Sequence, residues 1–122
     1  VRDWIHVNDH NIGVDIIVRK GRDGEVYNLG GHSERTNLEV VKTILKQMGK
    51  PESLITYVTD RPGHDLRYAI DSTKVEKELG WTLTHNFEDG IKNTVDWYLN
   101  HEDWINNILS GNYQNDNDKV RK

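Results

Sequence analysis

The densest cluster of groups able to do chemistry in this 122-residue sequence is Tyr57-Val58-Thr59-Asp60-Arg61-Pro62-Gly63-His64-Asp65-Leu66-Arg67-Tyr68-Ala69-Ile70-Asp71. Arginines, a histidine and acidic side chains surround a Pro-Gly pair. Proline presets φ and glycine admits positive φ, so the pair predicts a shaped turn that can aim guanidinium and imidazole groups at one anion. The same composition also suits a charged surface turn whose ions pair with one another.

Other chemistry finds less support. His6 and His10 have the spacing that puts two imidazoles on one helical face for a metal, but they straddle a strand-to-helix boundary at Asn8, which favours two histidines that ligate nothing. The sequence contains no Gly-x-Ser-x-Gly elbow, no Walker loop and no Gly-x-x-Gly-x-x-Gly fingerprint. Gly30-Gly31 ends an apolar run, yet lacks the third glycine that would mark a dinucleotide site. Taken alone, the residues offer an anion-binding constellation without a catalytic machine.

The elements that must position the turn follow from patterning. Val1 to Val7 alternates apolar and polar residues, with Trp4 out of phase, as a short strand does. Asn8 or Asp9 then caps a helix through Arg19, which Gly21 ends. Its set of Ile12, Val14, Ile16, Ile17 and Val18 predicts burial over much of the surface, although Gly13 weakens it. Glu25 to Leu29 reads as a strand broken by Gly30-Gly31, where backbone approaches something closely. Thr36 with Glu39 forms a capping box ahead of Leu38, Val41, Leu45 and Met48, and Gly49 and Pro51 stop that helix. A strand is expected from Leu54 to Thr59. Beyond the turn, Asp71 or Ser72 caps a short helix burying Val75 and Leu79, and Gly80 ends it. Asn86 caps a helix with Phe87, Ile91, Val95, Tyr98 and Leu99 on one face, and a last helical segment carries Trp104, Ile105, Ile108 and Leu109. Trp4, Trp81 and Trp97 read as core. The polar residues after Gly111 predict a tail that frays.

Composition sets the bounds. The length fits one small domain, and a hydrophobic share of 34% against 30% charged residues predicts a modest core weighted to its four Trp and five Tyr. A net charge of -4 supplies no basic stripe for nucleic acid. Absence of cysteine excludes a disulfide framework and suits a reducing cytosol. No apolar run approaches the roughly 20 residues needed to span a bilayer, and the N-terminus lacks a signal-peptide pattern, so a cytoplasmic location is expected. The start at Val1, without Met and inside a motif-like run, has the look of an excised piece.

Several blocks together resemble a known family. Arg2-Asp3-Trp4-Ile5-His6-Val7 with Asp9-His10, Glu25-Val26-Tyr27-Asn28-Leu29-Gly30-Gly31-His32, Asp60-Arg61-Pro62-Gly63-His64-Asp65 with Arg67-Tyr68-Ala69-Ile70-Asp71, and Glu78-Leu79-Gly80-Trp81 are similar, in order, to the C-terminal part of dTDP-glucose 4,6-dehydratases. These are extended short-chain dehydrogenases of the NAD-dependent epimerase/dehydratase family. Gly90-Ile91 through Trp97-Tyr98, and Trp104-Ile105-Asn106-Asn107 with Ser110-Gly111-Asn112-Tyr113-Gln114, extend the resemblance over nearly the whole chain. The Arg-Pro-Gly-His-Asp turn and the Ser-Gly-x-Tyr-Gln ending look specific to this dehydratase.

The resemblance implies an α/β, Rossmann-type enzyme of which this chain is the C-terminal substrate-binding portion, with mixed short strands and about four to five helices. It implies bound NAD that oxidises C4 of dTDP-glucose, loss of water across C5 and C6, return of the hydride to C6, and a homodimer. The family's NAD-binding glycine motif, its Tyr-x-x-x-Lys and its Thr-Asp-Glu trio lie upstream of the part matched here. None occurs in this chain, so alone it is expected to be inactive. Residues 1–110 are then the nucleotide-sugar-binding region and 111–122 a tail.

By the same resemblance Arg2, Asn28, Arg61, His64 and Tyr113 face the nucleotide and its diphosphate. Each has a rival role. Arg2 can pair with Asp3 or Asp9, Asn28 can bond its own turn, and Arg61 and His64 can serve the turn itself. Asp60, Asp65 and Arg67 are expected to hold the turn through ion pairs. A nucleotide-sugar epimerase, a stand-alone nucleotide-binding module and a docking subunit are the competing functional readings.

Overall fold

The computed structural model describes residues 1–111. The chain enters as a short strand, β1 (Arg2–Asp3), and turns into helix α1 (Val7–Lys20). An irregular stretch leads to β2 (Glu34–Arg35), then α2 (Asn37–Gln47), a single 3-10 turn at Glu52–Leu54, α3 (Thr73–Leu79), α4 (Phe87–Leu99) and α5 (Glu102–Leu109). Among the described residues this is an α/β arrangement of five helices and a two-stranded antiparallel sheet in which Arg2 faces Arg35 and Asp3 faces Glu34.

Helix boundaries follow local chemistry. The Thr36 side chain accepts from the Glu39 amide while Glu39 reaches back to the Thr36 amide, which completes the capping box at α2. Asn86 accepts from Asp89 N at 2.8 Å to start α4, and Gly80 ends α3 at φ 72°, a left-handed position suited to glycine. At α3 the N-cap is Ser72, but the capping bond comes from Asp71, whose Oδ1 accepts from Thr73 N at 2.9 Å. Ser72 is wholly buried, and its hydroxyl instead serves Gly30, accepting from the amide at 3.0 Å.

Helix α1 starts earlier than its Asn8-Asp9 signal suggests. His6 is the N-cap, its Nδ1 accepting from Asn8 N at 3.3 Å, because the Asp9 carboxylate is drawn inward to another partner. Val40, Val75, Trp81 and Val95 form the buried apolar core, with α2 against α4 and α1 against α3. Gly13 faces this core: a Cβ there would lie 2.6 Å from Leu29 Cδ2 and 3.0 Å from Trp81 Nε1, so the residue that weakens the helix lets Leu29 and Trp81 close on it.

Three expectations fail for one reason. Neither 25–29 nor 54–59 forms a strand, Leu54 closing the 3-10 turn instead, and the first strand shrinks to Arg2–Asp3. A strand exists only where a neighbour accepts its hydrogen-bond ladder; among the described residues 25–29 and 54–59 have none, and of the first segment only Arg2–Asp3 has one, in β2. The expected burial of α1 fails likewise, since only Asp9 and Gly13 are buried and Val18 is 80% exposed. Of the three tryptophans read as core, Trp81 is buried, Trp4 is half-buried, and Trp97 lies outside, stacked on His101 with centroids 4.3 Å apart at the α4–α5 corner. Of the expected tail, 111–122, only Gly111 is among the described residues. No helix among those described is long and apolar enough to cross a membrane.

Candidate functional site

The Pro-Gly turn is delivered to the start of the chain by backbone bonds. Val1 N donates to Leu66 O at 2.7 Å and Tyr68 N donates to Val1 O at 3.0 Å, while on the other side Trp4 N donates to Ser33 O at 3.0 Å. Val1 to Trp4 thus runs between the turn and the segment after the glycine pair. Gly63, at φ 72°, gives the turn its left-handed corner, which needs a residue without Cβ.

This juxtaposition brings two of the sequence-derived site residues together. Arg2 Nη2 lies 2.8 Å from His64 Nε2, and Arg2 Nη1 donates to Asp65 O at 3.1 Å and Val1 O at 2.8 Å. The Arg2 guanidinium also stacks over Tyr68, 5.1 Å from its centroid. Behind His64, its Nδ1 meets Asp60 Oδ1 at 2.7 Å, and the same oxygen accepts from Arg61 N at 2.8 Å. The bond from the His64 ring holds Asp60 below the usual carboxylate range, and the Asp65 carboxylate beside its hydroxyl pushes the Tyr68 phenol up.

Neither of the rival pairings of Arg2, with Asp3 or with Asp9, is present. Arg61 is exposed, and its guanidinium makes no hydrogen bond or ion pair among the described residues. Asn28 is exposed with no side-chain hydrogen bond among them, so the rival bond to its own turn is absent, and nothing ties it to the Arg2–His64 cluster. Tyr113 lies outside the described residues. Arg67 pairs with Glu34 across to β2, and Asp60 with His64, as expected of turn-holding ions; Asp65 serves Arg2 through its carbonyl.

The glycine pair is a close approach, but to the chain itself. A Cβ on Gly31 would stand 1.8 Å from Trp4 O. The amides of Gly31 and Ser33 donate to the two Asp3 oxygens at 2.9 and 2.8 Å, and the Gly30 amide goes to Ser72. These donors are therefore committed and do not offer a cradle for a dinucleotide.

A second polar centre escaped the sequence reading. Asp9, wholly buried, accepts from the Thr84 hydroxyl and amide, the latter at 3.1 Å, and from the His85 amide at 3.0 Å, with His85 Nδ1 at 3.2 Å. Its carbonyl accepts from Trp81 Nε1 at 3.0 Å. Burial alone would push the Asp9 carboxyl up; the Thr84 hydroxyl, the His85 and Thr84 amides and the His85 ring together hold it below its usual value. His6 stacks on His85 with centroids 4.0 Å apart, and burial followed by repulsion from His85 lowers its pKa, which fits a ring that must stay neutral to cap α1. An acidic residue inside a helix's first turn reads as a dipole partner; only its depth in the fold marks it otherwise.

A cavity of about 640 Å³ opens beside this centre, walled by Trp4, His6, His85, Phe87, Trp97 and Trp104, and it shares no residue with the Pro-Gly turn. Among the described residues no group of three or more His, Cys, Asp or Glu side chains is placed to hold a metal, and His6 Nδ1 is spent on the Asn8 amide as the cap of α1. What the turn can do chemically is present donors to an anion from an open, partly exposed surface.

Comparison with known proteins adds to this geometry. Residues 1–94 match the family model described as GDP-mannose 4,6 dehydratase. A dTDP-glucose 4,6-dehydratase of Xanthomonas campestris pv. campestris is 51% identical over 93% of this chain and 35% of its own length, and one of Salmonella typhimurium is 49% identical over 93% of this chain and 34% of its own. Among solved structures, a dTDP-glucose 4,6-dehydratase of Bacillus anthracis in complex with NAD superposes with a TM-score of 0.77 at 49% identity, covering 84% of this chain and 32% of that one. A dTDP-glucose 4,6-dehydratase of Streptomyces venezuelae with NAD bound gives a TM-score of 0.79 at 41% identity over the same 84% of this chain. The chain thus spans about a third of the length of the relatives it matches.

Proposed function

The chain belongs to the GDP-mannose 4,6 dehydratase family, and from that premise we propose that it is the C-terminal, nucleotide-sugar-binding portion of an NAD-dependent dTDP-glucose 4,6-dehydratase. The observation that carries the choice within the family is identity of about one half to dTDP-glucose 4,6-dehydratases along 93% of the chain, the Pro-Gly turn included. In this reading residues 1–110 bind the sugar nucleotide. Arg2, Asn28, Arg61, His64 and Tyr113 serve the nucleotide and its diphosphate. The exposed Arg61 and the stacked Arg2 offer planar, bidentate donors suited to phosphate oxygens.

The described residues of this chain do not fit NAD, because the amides of Gly30, Gly31 and Ser33 are spent on Ser72 and Asp3. The cofactor belongs to residues outside the chain, and no hydride step is assigned to the residues described. The whole enzyme's action on dTDP-glucose, its homodimerisation and its cytoplasmic location are parts of the same proposal.

The test is a calorimetric titration with dTDP, UDP and GDP, on the wild-type sequence and on Arg61→Ala, in the full-length protein that contains this chain. Saturable binding that prefers dTDP, weakened about tenfold or more by the loss of one charged phosphate contact, is expected. Incubation with NAD and dTDP-glucose, GDP-mannose or UDP-glucose then reads the reaction as loss of one water by mass. Turnover of GDP-mannose, or isomerisation of UDP-glucose without water loss, would replace the proposal with a different nucleotide-sugar enzyme.

A further inference from the structure

We propose that His64, backed by Asp60, is a positioning residue that holds the Arg2 guanidinium in place for the diphosphate, and that it does so only while its ring is neutral. The inference rests on the reading of the Pro-Gly turn as a diphosphate site, and says how that site is controlled.

The assignment comes from donor and acceptor inventory. A guanidinium has five N–H donors and no acceptor. At 2.8 Å from Arg2 Nη2, His64 Nε2 must therefore present its lone pair. The ring proton is then on Nδ1, where Asp60 Oδ1 stands at 2.7 Å to receive it. Asp60, His64 and Arg2 form a relay in which the carboxylate fixes the tautomer and the tautomer fixes the arginine. Both ring nitrogens are occupied, so His64 acts through Arg2 and not by its own contact.

Arg2 Nη1 spends both protons on Val1 O and Asp65 O, and Nη2 spends one on His64. What remains is the Nε proton and one Nη2 proton. The Tyr68 ring covers one face of the group.

Protonation of His64 places a proton on Nε2, turning the acceptor into a donor aimed at a cation. The hydrogen bond is lost and replaced by repulsion. The charged groups around the ring are Arg2 on β1 and Asp60, Arg61 and Asp65 on the turn, with the Tyr68 phenol beside Asp65. Two effects of opposite sign are thereby separable. If His64 works through Arg2, acid weakens diphosphate binding. If it touches phosphate itself, acid adds a cation and strengthens binding.

The experiment measures affinity for a nucleoside diphosphate sugar in the full-length protein between about pH 8 and about pH 5. A sugar diester is used because a terminal phosphate takes up its own proton near pH 6. Affinity is expected to fall about tenfold across the range, the worth of one hydrogen bond to a charged group. His64→Gln, whose carboxamide oxygen accepts from Arg2 but takes no proton, should give a flat profile and so isolate His64 from the other histidines. Nitrogen-15 spectra of the wild type should show a pyridine-like Nε2 and a pyrrole-like Nδ1 at neutral pH. A profile that rises or stays level on acidification, or the opposite tautomer, overturns the proposal while leaving the site reading intact. Absence of saturable binding at every pH in a folded protein overturns the site reading itself.

Discussion

Replacing Asp9 should be among the costliest single changes in this chain. The carboxylate is fully buried and receives two backbone amides, a hydroxyl and a ring N–H from Thr84 and His85. In Asp9→Ala the hydroxyl and the half-buried ring can turn to water, but the two amides are fixed by the chain. An orphaned buried donor costs about 1–3 kcal/mol, so the two part-buried amides set a loss toward the lower end of about 2–6 kcal/mol, a large part of a small domain's total. Asp9→Asn should lose about 2 kcal/mol or more, since its NH2 would face a donor. Urea unfolding followed by tryptophan fluorescence reads this directly, because buried Trp81 is bonded to the Asp9 carbonyl. The pH dependence has a definite sign. The folded-state pKa of Asp9 is lowered, so its contribution is complete above the unfolded carboxyl value near 3.9 and disappears as pH falls through the lower folded value. Asp9→Asn should abolish that acid-limb component. A loss below about 0.5 kcal/mol in both variants, with unfolding still cooperative, would refute the reasoning.

Two further perturbations test the packing. Gly31→Ala places a Cβ 1.8 Å from Trp4 O and 2.6 Å from Trp4 C, backbone atoms that cannot swing aside, whereas Gly24→Ala meets nothing within 4 Å and carries only the strain of φ 78°. Thermal unfolding should show a loss of several kcal/mol for the first and about 1 kcal/mol for the second, and equal losses would show that Trp4 yields. The isolated chain should also self-associate, because Tyr57, Val58 and Leu66 are 78%, 84% and 87% exposed beside unpaired backbone. Sedimentation finding a monomer across micromolar concentrations would contradict this.

Much of the chain is legible one turn at a time. The Thr36-Glu39 box, the left-handed Gly49 and Gly80, and the Asn86 cap set the ends of α2, α3 and α4 because each signal acts within four residues of itself. The Pro-Gly turn is equally local, and its Arg61 stands exposed where an anion can reach it. The apolar runs 25–29 and 54–59 misled, since a strand is a property of two segments and among the described residues neither run has a partner.

The sequence by itself determined the helices, the turn and the kinship carried by its motifs, since these depend on short-range sterics, capping and residue identity. Tertiary structure alone decided that His64 faces Arg2 from 62 positions away. It also turned Asp9 from a first-turn acid into the anchor for Thr84 and His85, and spent the Gly30-Gly31 amides on Ser72 and Asp3. Which donor meets which acceptor across such separations is set by how the segments pack, and packing sums over the whole chain at once.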